Sequence, residues 1–324
     1  MKSLKKFILR KNKKILFTPG PASLSFENIV NLSPGFGRGD DEYLSVENRV
    51  MKKLKTMSKK KQTVRMQGSG SFAIEVMISN FLYGNVLILK SGYYSDRLTS
   101  ITQYYKKVFK NIKNIDIINW EDYQKIQKKY DWILFCYTET SKAIKLPLDR
   151  IYKICKNKKI KIMLDATASF GLEKNHEFAD VFSYSSCKGL FGLTGAGFIS
   201  YDDSPRNKIE SFNLDINTHL YKRTTGPYHA IYSLDEVLKE HSKFKKSVII
   251  NKKIFLRKTK DFQSIEKKYQ PLLCTQINKK IINKNKNIIL YEPRSNLKGS
   301  IICHLGEVHL KEKAKGKIID YLNI

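Results

Sequence analysis

Between residues 63 and 201, short apolar runs of four to six residues alternate with longer amphipathic stretches. The short runs suit strands buried on both faces and the amphipathic ones suit helices that bury a single face. Their alternation predicts a mostly parallel sheet covered by helices. The strand-like runs are 63–66, 86–89, 115–119, 132–137, 160–165, 181–185 and 197–201, seven in all. Helical stretches fall between them, among them 72–82, 121–129 and 149–156, the last with Asp149 as an acid in its first turn. After Pro227 the pattern changes to a helical stretch from Tyr228 to about Lys258, followed by a Lys-rich region with fewer strand-like runs. We therefore expect a large domain over residues 15–227 and a smaller α/β domain over 228–324, with residues 1–14 packing on the smaller one.

A chain of 324 residues can bury a substantial core, and its 41% hydrophobic and 28% charged fractions exclude wholesale disorder. The Asn- and Lys-rich stretch 278–287 reads as a solvated loop or edge. The net charge of +30 raises the question of nucleic acid. However, the basic residues are mostly Lys, spread from Lys2 to Lys317 beside many Ile and Asn, as in chains encoded by AT-rich genomes. No recognition-helix, zinc-finger or RNA-sheet motif accompanies them, so nucleic acid is not expected as a partner. The charge can still attract an anionic substrate in a salt-sensitive way.

The five cysteines, Cys136, Cys155, Cys187, Cys274 and Cys303, are widely spaced and contain no CxxC pair. They indicate neither a disulfide framework nor a zinc site, and a reducing compartment fits them. The basic amino terminus carries only Phe7-Ile8-Leu9 as an apolar core, too short for a secretory signal, and no apolar run approaches a membrane span. These features lead us to expect a cytoplasmic protein with no membrane partner.

The chemistry lies at the ends of the expected strands. In open α/β sheets ligands bind beyond the carboxyl ends of strands, and Gly68, Thr138, Asp165 and Ser186 all fall there. Lys188, in Ser185-Ser186-Cys187-Lys188-Gly189, offers an amine that can condense with an aldehyde. Asp165 offers a carboxylate that can keep a ring nitrogen protonated. The run Gln67-Gly68-Ser69-Gly70-Ser71 closes a strand and opens a helix, so its N–H groups and the helix dipole can hold a phosphate. Asn217, His219 and His229 invite a metal reading but are expected to be structural polar groups, with no metal at the site.

The order of motifs resembles the class V, fold type I, pyridoxal-phosphate-dependent aminotransferases, and among them the branch acting on 2-aminoethylphosphonate and pyruvate. The resemblance rests on Phe17-Thr18-Pro19-Gly20-Pro21, Asp40-Asp41-Glu42-Tyr43, Gly68 to Glu75, Gly92-Tyr93-Tyr94-Ser95-Asp96-Arg97, Thr138-Glu139-Thr140, Asp165 with Ser169-Phe170-Gly171, and Lys188. Leu214-Asp215, Thr225-Gly226-Pro227-Tyr228-His229 and Leu305-Gly306-Glu307-Val308 continue it. It implies pyridoxal 5'-phosphate as cofactor, held by Lys188 as the Schiff-base lysine with Asp165 at the ring nitrogen. Ser69 and Gly70 would bind the phosphate, Gly68 and Ser186 would also stand at the cofactor, Tyr94 would stack on the ring, and Thr140 would meet the ring hydroxyl. Thr225 would reach the cofactor of a second subunit in a homodimer. The implied reaction is ping-pong through pyridoxamine phosphate, between a small anionic amino donor and a keto or aldehyde acceptor.

The chain departs from the family at several positions. Cys187 precedes the lysine where the family has Asn or Gln, and Ser141-Lys142-Ala143 follows the Glu-Thr pair. Ile301 stands where the family has the arginine that pairs with a substrate carboxylate or phosphonate. Arg38 and Arg294 are the candidates to take over that role. The alternatives are an alanine–glyoxylate or serine–pyruvate aminotransferase and, outside enzymes, a basic nucleic-acid-binding or degenerate protein of the same fold. A cysteine desulfurase fits less well, because Cys187 occupies the place of its His before the lysine.

Overall fold

The computed structural model describes residues 2–11, 13–22, 24–33, 37, 39–283 and 285–306. Arg38 and the Glu307-Val308 end of the last motif lie outside the described residues. In chain order the elements begin with α1 (Lys2–Lys11), β1 (Ile15–Phe17), α2 (Asp41–Ser58), β2 (Gln62–Gln67), α3 (Gly70–Phe81), β3 (Gly84–Lys90), α4 (Tyr93–Val108) and β4 (Ile112–Asn119). The central part holds β5 (Trp132–Cys136), β6 (Thr138–Glu139), β7 (Ile144–Lys145), α5 (Leu148–Lys158), β8 (Lys161–Asp165), β9 (Val181–Ser185) and β10 (Ala196–Tyr201). The remainder is α6 (Ile216–Leu220), α7 (Tyr228–Lys239), α8 (His241–Lys258), β11 (Cys274–Ile277), β12 (Ile288–Leu290) and β13 (Ser300–Cys303).

The seven expected strands form one seven-stranded sheet in the order β2-β10-β9-β8-β5-β3-β4. Its pairings are parallel except for the two made by β10, which runs antiparallel to β2 and β9. Side chains alternate between two buried layers. Ile133 and Phe135 of β5 join a core with α2, α5 and α7, whereas Trp132, Leu134 and Cys136 join a second core with α3 and α4. This double burial is why the strands read as continuous apolar runs.

Two expected helices take another form. Residues 121–129 were expected to be helical, but the chain makes a short 3₁₀ turn over Trp120–Lys125. Trp120, Tyr123 and Ile126 are the buried residues there, and their spacing of three fits a 3₁₀ turn better than an α-helix. The stretch from Tyr228 is two helices, parted at Glu240, whose φ of -100° and ψ of 8° end α7. The break lets Phe244 and Val248 of α8 turn onto a separate cluster with Phe191, Leu273 and Leu305. Beyond α8, β11 pairs antiparallel with β13, and β12 pairs in parallel with β1 from the start of the chain.

Candidate active site

β2 and β9 both run opposite to β10, so the carboxyl ends of β2, β3, β5, β8 and β9 share one edge of the sheet. That edge opens into a cavity of about 470 Å³ lined by Gly68, Ser69, Gly70, Tyr94, Thr140, Asp165, Lys188 and Arg294, with Gly20, Ser71, Arg97, Cys136, Thr138, Thr167, Ser185 and Cys187 among its other walls. Residues spread over most of the chain thus meet in one place, as expected for the end of an open α/β sheet.

Lys188 follows β9 at the start of a tight loop in which Phe191 N–H donates to Lys188 O at 2.9 Å and Gly192 N–H to Ser186 O at 2.8 Å. The amino-terminal segment crosses beside it, with Ala22 N–H donating to Cys187 O at 2.7 Å. Gly20 has a φ of 135°, and a Cβ there would stand 2.9 Å from Lys188 Cγ, so glycine leaves room for the lysine stem. The amine lies 5.8 Å from the centroid of the Tyr94 ring.

Asp165 ends β8 and is 2% exposed. Its Oδ1 accepts Thr167 N–H at 2.9 Å, and its Oδ2 accepts Arg97 Nη2 at 3.2 Å. On the opposite wall Ser69 caps α3, its Oγ accepting Phe72 N–H at 3.2 Å. The N–H groups of Gly70 and Ser71, in the first turn, have no intrahelical acceptor and carry the positive end of the helix dipole. Gly70 also permits a close approach, since a Cβ there would lie 2.8 Å from Thr167 Cγ2.

Tyr94 is held by its backbone. The buried Glu139 carboxylate accepts N–H groups from Tyr94 and Ser95 at 3.1 Å on Oε2, and Ser141 N–H at 3.2 Å and Ser141 Oγ at 2.5 Å on Oε1. Burial pushes the Glu139 carboxyl upward, against the pull of these four donors. Burial likewise pushes the Cys136 thiol up, which keeps that cavity wall neutral. The Tyr291 phenol, raised by burial, faces Tyr94 and Thr140 from the carboxyl-terminal part of the chain. Arg294 stands exposed at the mouth, with Nη1 3.3 Å from Tyr93 Oη and its guanidinium carbon 5.3 Å from the Tyr93 ring centroid.

Two expected residues lie outside the cavity. Ser186 was expected at the cofactor but does not line the cavity. It is fully buried, its hydroxyl donating to Leu193 O at 2.5 Å, while Ser185, at the end of β9, faces the cavity. The hydroxyl of Ser186 is consumed in shaping the lysine loop. Thr225 is exposed and outside the cavity, and Arg38 lies outside the described residues. Ile301 is 1% exposed and packs in the cluster with Leu273, Cys303 and Leu305, so β13 sends no cation to the site. His219 Nε2–H donates to Asn213 O at 2.8 Å, and Asn217 Nδ2 donates to Asp215 Oδ1 at 3.0 Å. Among the described residues no cluster of His, Cys, Asp and Glu could hold a metal ion, and no helix is long and apolar enough to cross a membrane.

Sequence reasoning placed Thr138 at a strand end and Arg97 in a motif but gave neither a role, and it did not single out Thr167 or Tyr291. Their signal was positional, since each lies within a few residues of an expected site residue or motif. Each carries a buried polar atom without a hydrogen-bond partner among the described residues, Arg97 Nε, Thr138 Oγ1, Thr167 Oγ1 and Tyr291 Oη, the first three on residues that line the cavity. Buried polar atoms are normally satisfied, so their grouping on one cavity wall calls for a polar ligand. An amine, a strand-end carboxylate and a helix amino terminus around one cavity can together hold a molecule carrying an aldehyde, a basic ring nitrogen and a phosphate.

No family model matches the chain. It is 26% identical over 251 residues to a 2-aminoethylphosphonate–pyruvate transaminase of Pseudomonas aeruginosa, covering 70% of this chain and 68% of that protein. It is 25% identical over 253 residues to the transaminase of the same name from Bacteroides fragilis, covering 70% of each. Among solved structures, an alanine–glyoxylate aminotransferase from Nostoc sp. superposes with a TM-score of 0.79 at 19% identity, over 95% of this chain and 94% of that one. The chain thus has the architecture of the fold type I aminotransferases and is an aminotransferase similar in sequence to the 2-aminoethylphosphonate–pyruvate transaminases.

Proposed function

We propose that this chain exchanges an amino group between 2-aminoethylphosphonate and pyruvate, forming phosphonoacetaldehyde and alanine, with pyridoxal phosphate as its cofactor and a homodimer as its working form. The observation that carries the reading is the single cavity in which Lys188, Asp165, the amino terminus of α3 and Arg294 meet. The donor set fits the cofactor group by group. Ser69, Gly70 and the first turn of α3 offer N–H groups to a phosphate, Asp165 offers an anion to a pyridine nitrogen, Lys188 offers an amine to an aldehyde, and Thr138 and Thr167 offer hydroxyls without partners. Pyridoxal phosphate supplies the aldehyde that takes up the amino group and a ring that accepts electrons from the substrate carbon.

The protein's share is binding, orientation and proton movement. Lys188 would hold the cofactor through Nζ, and the same Nζ, when free, would move the proton from the carbon that bears the donor's amine. Asp165 would pair with the ring nitrogen. Tyr94, fixed by Glu139, supplies a flat apolar face. Arg294 receives the phosphonate or carboxylate at the mouth, in the role the family gives to an arginine where this chain has Ile301. Thr225, exposed on its own chain, is free to serve the cofactor of the partner subunit.

The test is a half-reaction in which protein loaded with pyridoxal phosphate is mixed with single amino donors, no acceptor present. We expect 2-aminoethylphosphonate to bleach the visible band and pyruvate to restore it. Bleaching by alanine or serine with restoration by glyoxylate, and none by 2-aminoethylphosphonate, would assign the chain to the other substrate class.

A further inference from the structure

We propose that Arg97 is a positioning residue: its guanidinium holds the Asp165 carboxylate and ties it to the turn that starts α3, so that one side chain sets the distance between the two ends of the cofactor site. The inference rests on the cofactor assigned above. Arg97 stands in the first turns of α4 and reaches along the cavity wall. Its Nη1 donates to Ser71 Oγ at 2.8 Å and its Nη2 to Asp165 Oδ2 at 3.2 Å, while its guanidinium carbon stands 5.0 Å from the centroid of the Tyr94 ring.

Both ends of this bridge matter. Thr167 N–H already holds the other oxygen of Asp165, so the two donors together stop the carboxylate from turning about its own axis. Ser71 belongs to the first turn of α3, whose N–H groups would hold the phosphate. The two nitrogens of a planar guanidinium fork reach two separate acceptors in fixed geometry, whereas a lysine brings a single nitrogen with no fixed fork. Arg97 also brings a fixed positive charge to the cavity that Lys188 lines, the two cations standing 5.0 and 5.8 Å from the centroid of the Tyr94 ring. The other titratable and charged groups around Lys188 are Asp165, Tyr94, Cys136 and Cys187, with Cys303 approaching from β13 and Arg294 at the mouth.

The test compares the parent protein with Arg97→Gln and Arg97→Lys, reading cofactor affinity by equilibrium dialysis and the pH midpoint of the visible band of lysine-bound cofactor. A parent that takes up no pyridoxal phosphate sinks the reading of the site and this inference together. With a band in the parent, loss of a cation near the linking nitrogen favours the protonated form of that nitrogen. Arg97→Gln is then expected to raise the midpoint by about one pH unit and to weaken cofactor binding by roughly tenfold. Arg97→Lys keeps the charge, so its midpoint stays at the parental value, while its affinity still falls because it lacks the fixed fork that reaches both acceptors. A side chain needed only for packing would leave the midpoint unmoved in both variants. Parental midpoint and affinity in Arg97→Gln would overturn the inference while leaving the function standing. If Arg97→Gln does not fold, Arg97→Lys decides, and parental cofactor affinity in that variant overturns the inference.

Discussion

Lys188 Nζ, the Asp165 carboxylate and the Arg294 guanidinium have different tasks and so fail differently when removed. Lys188→Ala loses both the attachment of the cofactor and the proton carrier, and the second loss alone is expected to cost about 10²–10⁴-fold in turnover, measured as alanine formed per active site. Asp165→Asn keeps the shape but faces the ring nitrogen with a neutral amide. We expect it to bind cofactor and turn over poorly, and parental rates in steady-state assays would refute the role of Asp165. Arg294 is exposed, so its contact with an anion is screened by water, and Arg294→Ala is expected to lower kcat/KM for 2-aminoethylphosphonate by a few-fold to roughly tenfold with the cofactor spectrum unchanged. At this scale much of the site could be read from the chain, because amine, acid and helix turn each sit where a strand ends. What could not be read was which of two neighbouring serines faces inward. Nor could the reach of Arg97 to Asp165, 68 positions away in sequence, since a long side chain carries no pattern that says where its head group goes.

Among the elements, α4 depends on a carboxylate from another strand. Glu139 of β6 accepts two N–H groups from the first turn of α4 on one oxygen, and a hydroxyl and an N–H from Ser141 on the other. Glu139→Gln must turn an NH₂ group toward one of these donor pairs, leaving buried donors unmatched at a cost of about 1–3 kcal/mol. The expected outcome is a lower denaturant midpoint together with weaker cofactor retention, because Tyr94 rides on that turn. An unchanged midpoint would show that the carboxylate is not needed there. The strands were legible because burial on both faces writes continuous apolar runs. The short turn at Trp120–Lys125 was not, because four charged or polar side chains among two buried aromatics look helical until the spacing of three is noticed. The parallel pair β1 and β12 was also invisible, since it joins segments from opposite ends of the chain by short strands of three residues each.

For the molecule as a whole, buried histidines set the acid limit. His176, against Ser169 Oγ at 2.9 Å, is held down by burial to about 3 from an ordinary 6.5, and His304, beside Thr275, is lowered in the same way. Below the ordinary value the unfolded chain binds protons that the folded one refuses. Stability is therefore full above about pH 6.5 and declines as pH falls toward about 3, each such histidine adding a slope of about 1.4 kcal/mol per pH unit. Chemical denaturation at several pH values checks this, and a flat profile between pH 6 and 4 would contradict it. Assembly is tested by light scattering at assay concentration, where we expect a two-fold dimer. The central claim is that one lysine, in a chain with 60 basic residues, is the cofactor's attachment point. Borohydride reduction of protein loaded with pyridoxal phosphate, followed by digestion and peptide mass mapping, tests it most directly. The account predicts a single stoichiometric phosphopyridoxyl adduct on the peptide that contains Lys188, absent from Lys188→Ala; an adduct on another lysine, spread over many, or equally present in that variant would contradict it.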